Sequence, residues 1–259
     1  MRRRGSLEGG RLVSRTVPAL LFSFACLAGA PAEGLRNITT ATLDYYFDDT
    51  FRLALEDVFL ARLSPEFSLQ LKAARYDTNL RYQHALSLGP IINFSPNLYL
   101  DALYGLGLDS ALVVEHRGDI NFNYETDDIL LQIGLRGAFT PATEYFYFIP
   151  SVGGKFKLAD WLGFFNKIFL SWNVAGAFAG SYWGELDWIL SPVFTLRTGG
   201  TIGWAEELGF SLLAGIDIHF SREVLLKYYF QFLSNTFDYS VSPERKIGIE
   251  NGIFLDIRF

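Results

Sequence analysis

Residues 208–233 read LGFSLLAGIDIHFSREVLLKYYFQFL, and their alternation decides the fold class. Leu208, Phe210, Leu212, Ala214, Ile216, Ile218 and Phe220 fall on one face of an extended chain. Gly209, Ser211, Leu213, Gly215, Asp217 and His219 fall on the other. Successive side chains of a strand point to opposite sides, so this period-two pattern predicts a strand whose faces meet different surroundings. Ser221-Arg222-Glu223 then interrupts the run. A second strand follows, with Val224, Leu226, Tyr228, Phe230 and Phe232 alternating with Leu225, Lys227, Tyr229, Gln231 and Leu233. Strand, short breaker and strand together predict an antiparallel hairpin.

The same pattern extends upstream. Phe67, Leu69, Leu71 and Ala73 interleave with Ser68, Gln70 and Lys72. Leu131, Ile133, Leu135 and Phe139 interleave with Gln132, Gly134 and Arg136. In all, the chain predicts fourteen strands, at about 37–47, 50–63, 67–76, 80–94, 97–109, 111–126, 129–139, 143–157, 163–178, 181–190, 193–204, 208–220, 224–234 and 246–259. Segment 50–63 is the weakest, because Glu56-Asp57 breaks its alternation and Leu55, Val58, Phe59 and Leu63 also suit a helix. A helix there, or a merger of 181–190 with a neighbour, would leave twelve strands. The surface loops expected between strands are 48–49, 77–79, 109–110, 140–142, 178–181, 205–207 and 235–245, only the last of them long.

A soluble two-sheet sandwich also alternates apolar and polar positions. Two features favour an antiparallel transmembrane β-barrel instead. Every second connection is a short breaker: Ser64-Pro65, Ser95-Pro96, Asp160-Trp161, Ser191-Pro192 and Ser221-Arg222. Aromatics, including Phe94, Tyr99, Trp161, Phe164 and Phe220, crowd the apolar faces near those turns, as an interfacial girdle would. The 259 residues include 24 Phe, 13 Tyr and 5 Trp, and charged residues make up 19%, too many for a protein built of lipid-embedded helices.

Residues 1–32 have the layout of a secretory signal peptide. Arg2, Arg3, Arg4, Arg11 and Arg15 form a positive start, Val17 to Ala30 is an uncharged apolar run, and Ala30-Pro31-Ala32 offers small residues for cleavage. The expected organisation is therefore a signal peptide over 1–32 and one barrel domain over 33–259. Cleavage would remove five of 22 basic residues and one of 28 acidic ones. That leaves 17 and 27, a net charge of −10, which argues against a nucleic-acid partner. It would also remove Cys26, the only cysteine, so neither disulfides nor thiolate-bound metals are expected.

The chain ends Ile253-Phe254-Leu255-Asp256-Ile257-Arg258-Phe259. This resembles the closing strand of bacterial outer-membrane β-barrel proteins, which ends in Phe after alternating apolar residues. The resemblance implies that Ile253, Leu255, Ile257 and Phe259 form the face recognised by the barrel assembly machinery. It also implies membrane lipids as the surrounding partner and the bacterial outer membrane as the location. No subfamily is identifiable from these residues. A closed barrel would further require the last strand to pair with the first, because open backbone groups are costly in hydrocarbon.

Chemistry-bearing motifs are sparse. No catalytic, cofactor-binding or metal-spaced constellation is present. His219-Phe220-Ser221 superficially resembles the His-x-Ser pair of outer-membrane phospholipases, but Arg222-Glu223 follow where that family has Asn-Gly. Polar residues predicted to line the lumen are Glu115, Arg117, Asp119, Asn121, Arg136, Lys155 and Lys227. The expected function is porin-like: a passive channel for small hydrophilic solutes or ions, with a weak preference for cations. The alternative is a closed barrel, structural or gripping an apolar ligand through inward Tyr145, Tyr147, Phe165, Phe169 and Tyr229.

Overall fold

The computed structural model describes residues 34–46, 51–78, 82–176, 178–204, 208–238 and 242–259, and the expected signal peptide lies outside them. The described chain forms β1 (Leu35–Tyr46), β2 (Phe51–Arg62), β3 (Phe67–Thr78), β4 (Tyr82–Ser95), β5 (Leu98–Asp109), β6 (Val114–Glu125) and β7 (Ile129–Thr140). After a single 3₁₀ turn at Pro141–Thr143 come β8 (Tyr145–Ala159), β9 (Leu162–Asn173), β10 (Phe178–Ile189), β11 (Phe194–Trp204), β12 (Leu208–His219), β13 (Val224–Asp238) and β14 (Ser242–Arg258). Each strand pairs antiparallel with its neighbours in sequence, and β1 pairs with β14, so the sheet closes into a fourteen-stranded barrel. The seam runs from Arg36 opposite Arg258 to Tyr46 opposite Gly248, and Phe259 N–H donates to the Leu35 carbonyl at 2.9 Å. The twelve-strand alternative is excluded.

The barrel is inside-out relative to a soluble protein. Leu86, Ile133 and Leu212 are 58%, 64% and 61% exposed, whereas Asp44 is 0% and Asp256 2% exposed. Residues paired across the ladder share a face, which sorts every position. The row Leu86, Leu106, His116 and Phe139 points outward, and the row Ser87, Gly105, Arg117 and Ala138 points inward. An apolar outer face of this size is stable only against hydrocarbon. Aromatics sit at its edges. Trp161 stacks on Trp188 at one end, and Phe148, Trp172 and Phe178 form a ring cluster towards the other.

The two ends differ in turn chemistry. At the end holding Leu35 and Phe259, Ser64, Ser95, Ser191 and Ser221 each accept backbone N–H bonds from the residues two and three ahead. Thr126 does the same for Ile129 N–H at 3.1 Å. A Ser/Thr-x-x-apolar sequence thus starts five of the six turns at this end, the hydroxyl replacing a ladder partner where the chain reverses. The residue after Ser is Pro in three of them, Pro65, Pro96 and Pro192.

Several boundaries depart from the sequence expectation. Segment 50–63 is strand, not helix, and its broken alternation has a definite cause. Glu56 faces inward while Asp57 faces lipid, where its Oδ1 accepts from Thr39 Oγ1 at 2.6 Å. Residues 178–181, expected as a loop, begin β10, with Phe178 packed on Trp172 at 4.8 Å between ring centres. The long loop at 235–245 is mostly strand as well. β13 and β14 continue past the neighbouring strands, with Thr236 opposite Lys246 and Asp238 opposite Ser242. Tyr99 is not part of the outer girdle: it faces inward and donates to Glu125 Oε2 at 3.3 Å.

Candidate luminal site

The inward face of each strand delivers polar side chains at every second position, and the register decides which of them meet. On the arc from β2 to β8 they surround a water-accessible cavity of about 450 Å³. Four cations line it: Arg52, Lys72, Arg117 and Arg136. Each has a carboxylate partner. Arg52 pairs with Asp44 at 2.5 Å, Lys72 with Glu56 at 2.8 Å and Arg136 with Asp119 at 2.8 Å, while Arg117 pairs with Glu115. Arg117 also donates to Gln83 Oε1 at 2.7 Å and lies 5.5 Å over the Tyr76 ring. Tyr76 in turn donates to Glu56 Oε1 at 2.5 Å. The charges are compensated but not sealed, since the Arg136 side chain is 62% exposed.

The opposite arc, β10 to β13, is built differently. Arg197 lies between Glu185, 3.4 Å away, and Asp217, 2.7 Å away. Lys227 approaches Asp217 from the far side at 3.4 Å. The side chains of Arg197, Glu185 and Asp217 are only 12%, 8% and 10% exposed. This is a buried charge network, whose members hold one another in place at the expense of contact with water. Lys155 joins it from β8 by an ion pair to Asp187 at 2.5 Å.

The register turns all seven sequence-predicted residues inward, but it does not gather them into one site. Arg117, Asp119 and Arg136 line the cavity, with Glu115 beside them. Asn121 lies in the row between Asp101 and Gly134. Lys227 belongs to the opposite arc, and Lys155 reaches it from β8. Sequence reasoning missed Asp44, Arg52, Glu56, Tyr76, Glu185 and Asp187. The last two were readable, because Ser181, Trp183, Glu185 and Asp187 occupy alternate positions of β10. His219 faces inward at the end that carries the Ser turns, and Ser221 Oγ is engaged by the N–H groups of Glu223 and Val224, both at 3.1 Å. That hydroxyl holds a turn. Among the described residues, no group of three or more His, Cys, Asp or Glu is placed to hold a metal ion.

Solved structures give this geometry a context. The chain is similar to the CymD monoaromatic hydrocarbon channel, with a TM-score of 0.60 and 10% identity over 88% of this chain and 89% of that one. It is similar to a bacterial polysaccharide outer membrane secretin, with a TM-score of 0.63 and 8% identity over 89% of this chain and 100% of that one. It is also similar to the P. putida toluene transporter TodX, with a TM-score of 0.58 and 10% identity over 90% and 92% of the two chains. The fold is that of the bacterial outer-membrane β-barrels. At these identities the likeness concerns the fold alone. No family model and no curated protein sequence matches the chain.

Proposed function

We propose that the protein is a passive channel of a bacterial outer membrane for small hydrophilic solutes or ions. The observation that carries this reading is the water-accessible cavity walled by partly exposed ion pairs on the β2–β8 arc. Fixed charges of both signs replace part of a solute's hydration shell without binding it tightly, which favours passage over capture. A weak preference for cations follows from the mouth beside the chain ends. Glu66, Asp127, Asp128, Asp160 and Glu223 lie in or beside its turns, and carboxylates at a mouth raise the local cation concentration. Single-channel conductance of the folded residues 33–259 in a planar bilayer under a salt gradient tests the proposal. Steady openings with a cation-selective reversal potential are expected; a folded, inserted and silent barrel would overturn it.

One observation favours a second reading, a barrel that grips an apolar ligand. Phe165 and Trp183 meet edge to face inside the lumen, with ring centres 5.2 Å apart, and Phe169 lies beneath Lys167. Two similar structures are, by name, a hydrocarbon channel and a toluene transporter. Quenching of Trp183 fluorescence by toluene, absent in Trp183→Phe, would support this reading.

Assembly is proposed to use the C-terminal strand. Ile253, Leu255 and Ile257 point outward along β14, and Phe259 follows it beside Leu35. Phe259→Ala is expected to lower the amount of inserted protein in cells while leaving the purified barrel able to fold into lipid.

A further inference from the structure

The outer face of the barrel is not uniformly apolar. Among strand residues whose side chains are described, Arg75, His84 and His116 are the only basic ones that the register turns towards lipid. They lie on β3, β4 and β6, within one run of four neighbouring strands. All lie near the end of the barrel away from Leu35 and Phe259: three residues before the end of β3 and two after the starts of β4 and β6. Arg75 sits directly opposite His84 in the ladder. Its Nε donates to Asp77 at 2.8 Å and 3.0 Å, and among the described residues its two terminal nitrogens make no hydrogen bond. His116 Nδ1 lies 2.7 Å from the Tyr104 hydroxyl, leaving Nε2 for another partner.

An independent feature begins at His116. An outward groove of about 520 Å³ runs from His116 and Phe139 towards Ile120 and Leu135, that is, from the edge of the apolar belt into it. Its floor is the cross-strand pair Gly118 and Gly137, where the wall carries no side chain. A Cβ built at Gly118 meets nothing within 4 Å. Tyr104, Phe146 and Phe148 stand at its sides.

We infer that this groove and the basic rim above it bind an anionic phospholipid, with the headgroup at Arg75, His84 and His116 and an acyl chain on the Gly118–Gly137 floor. The order of chemistry along the groove matches that of such a lipid, polar where the bilayer surface lies and apolar below. Charge complementarity selects the headgroup, since Arg75 is a cation and hydrogen bonds to an anionic phosphate are the strong ones. The inference rests on the barrel's lying in a bilayer and is independent of whether its lumen conducts.

The test weighs the intact protein by native mass spectrometry in mild detergent, with phosphatidylglycerol or with phosphatidylcholine of the same chains. Folding is checked for each variant by resistance to detergent unfolding at room temperature. The wild-type protein is expected to retain phosphatidylglycerol over phosphatidylcholine, and the double variant Arg75→Ala/His116→Ala to lose that preference by roughly tenfold, the loss expected for hydrogen bonds to a charged group. Gly118→Leu, which fills open space, is expected to lower retention of both lipids alike. Equal retention of the two lipids by the wild-type protein, or unchanged retention in the folded variants, would overturn the inference. So would complete displacement of phosphatidylglycerol by millimolar inorganic phosphate, which would mark a site for free anions. Conductance of the same variants should match the wild-type protein, so a failure here and a failure of the channel reading are read separately.

Discussion

The two arcs of the lumen use the same residue types to opposite ends. On β2–β8, Lys72, Arg117 and Arg136 each take one principal carboxylate and keep a side to water. On β10–β13, Arg197 is shared between Glu185 and Asp217, and all three are nearly dry. An exposed pair is worth little to stability but remains available to a passing solute. A buried pair is available to nothing, and loss of one member strands the other. On the proposed channel reading, one wall is a surface for traffic and the other a brace.

Substitutions can break that contrast. The largest effect is expected from Arg197→Met, which leaves Glu185 and Asp217 inside the wall without their shared partner. Urea unfolding in lipid vesicles should show a loss of about 3–5 kcal/mol. A loss below about 1 kcal/mol would mean that the brace is not a brace. Lys155→Met comes next. It removes a half-exposed cation from Asp187, whose side chain is 8% exposed, and should cost about 1–3 kcal/mol in the same assay. Arg136→Met should cost less than about 1 kcal/mol, because its side chain is 62% exposed. It should instead move the reversal potential towards cations, since Asp119 then faces the cavity alone. A large stability loss with unchanged selectivity would reverse the roles assigned to the two arcs. Lys157→Ala should leave the unfolding midpoint unchanged in the same assay, because its partner Asp160 is 95% exposed in a turn.

Much of this architecture was legible in the sequence because a strand's side-chain period is fixed. Once Leu208 to Phe220 are placed, parity sorts Asp217 from Ile218, and the same rule turned Glu115, Arg117, Asp119 and Lys227 inward. Partner choice was not legible. Arg197 meets Glu185 and Asp217 because β11 lies between β10 and β12 in a particular register, and register depends on the stagger of the whole closed sheet. Local exceptions were also hidden. Asp57 breaks alternation because Thr39 on the neighbouring strand accommodates it, and no window within β2 contains that information. Residues 178–181 resembled a loop because Gly180 and Ser181 are turn formers, yet Phe178 is drawn into the aromatic cluster of the outer face. The Ser-x-x-apolar turns were visible as breakers. What they share is a hydroxyl that accepts two N–H groups, and that is a property of geometry.

The prolonged β13–β14 hairpin has a practical consequence for topology. Its strands keep pairing at Thr236 and Asp238, beyond the rows that join them to β12 and β1. A protease site engineered at Asp238 would sit beyond the rows that join β13 to β12. Once cut, the two fragments would stay assembled, because Val224 to Leu233 remain zipped to β14 and the closing strand remains zipped to β1. A nick made on intact cells would thus report which end of the barrel faces outward without dismantling it.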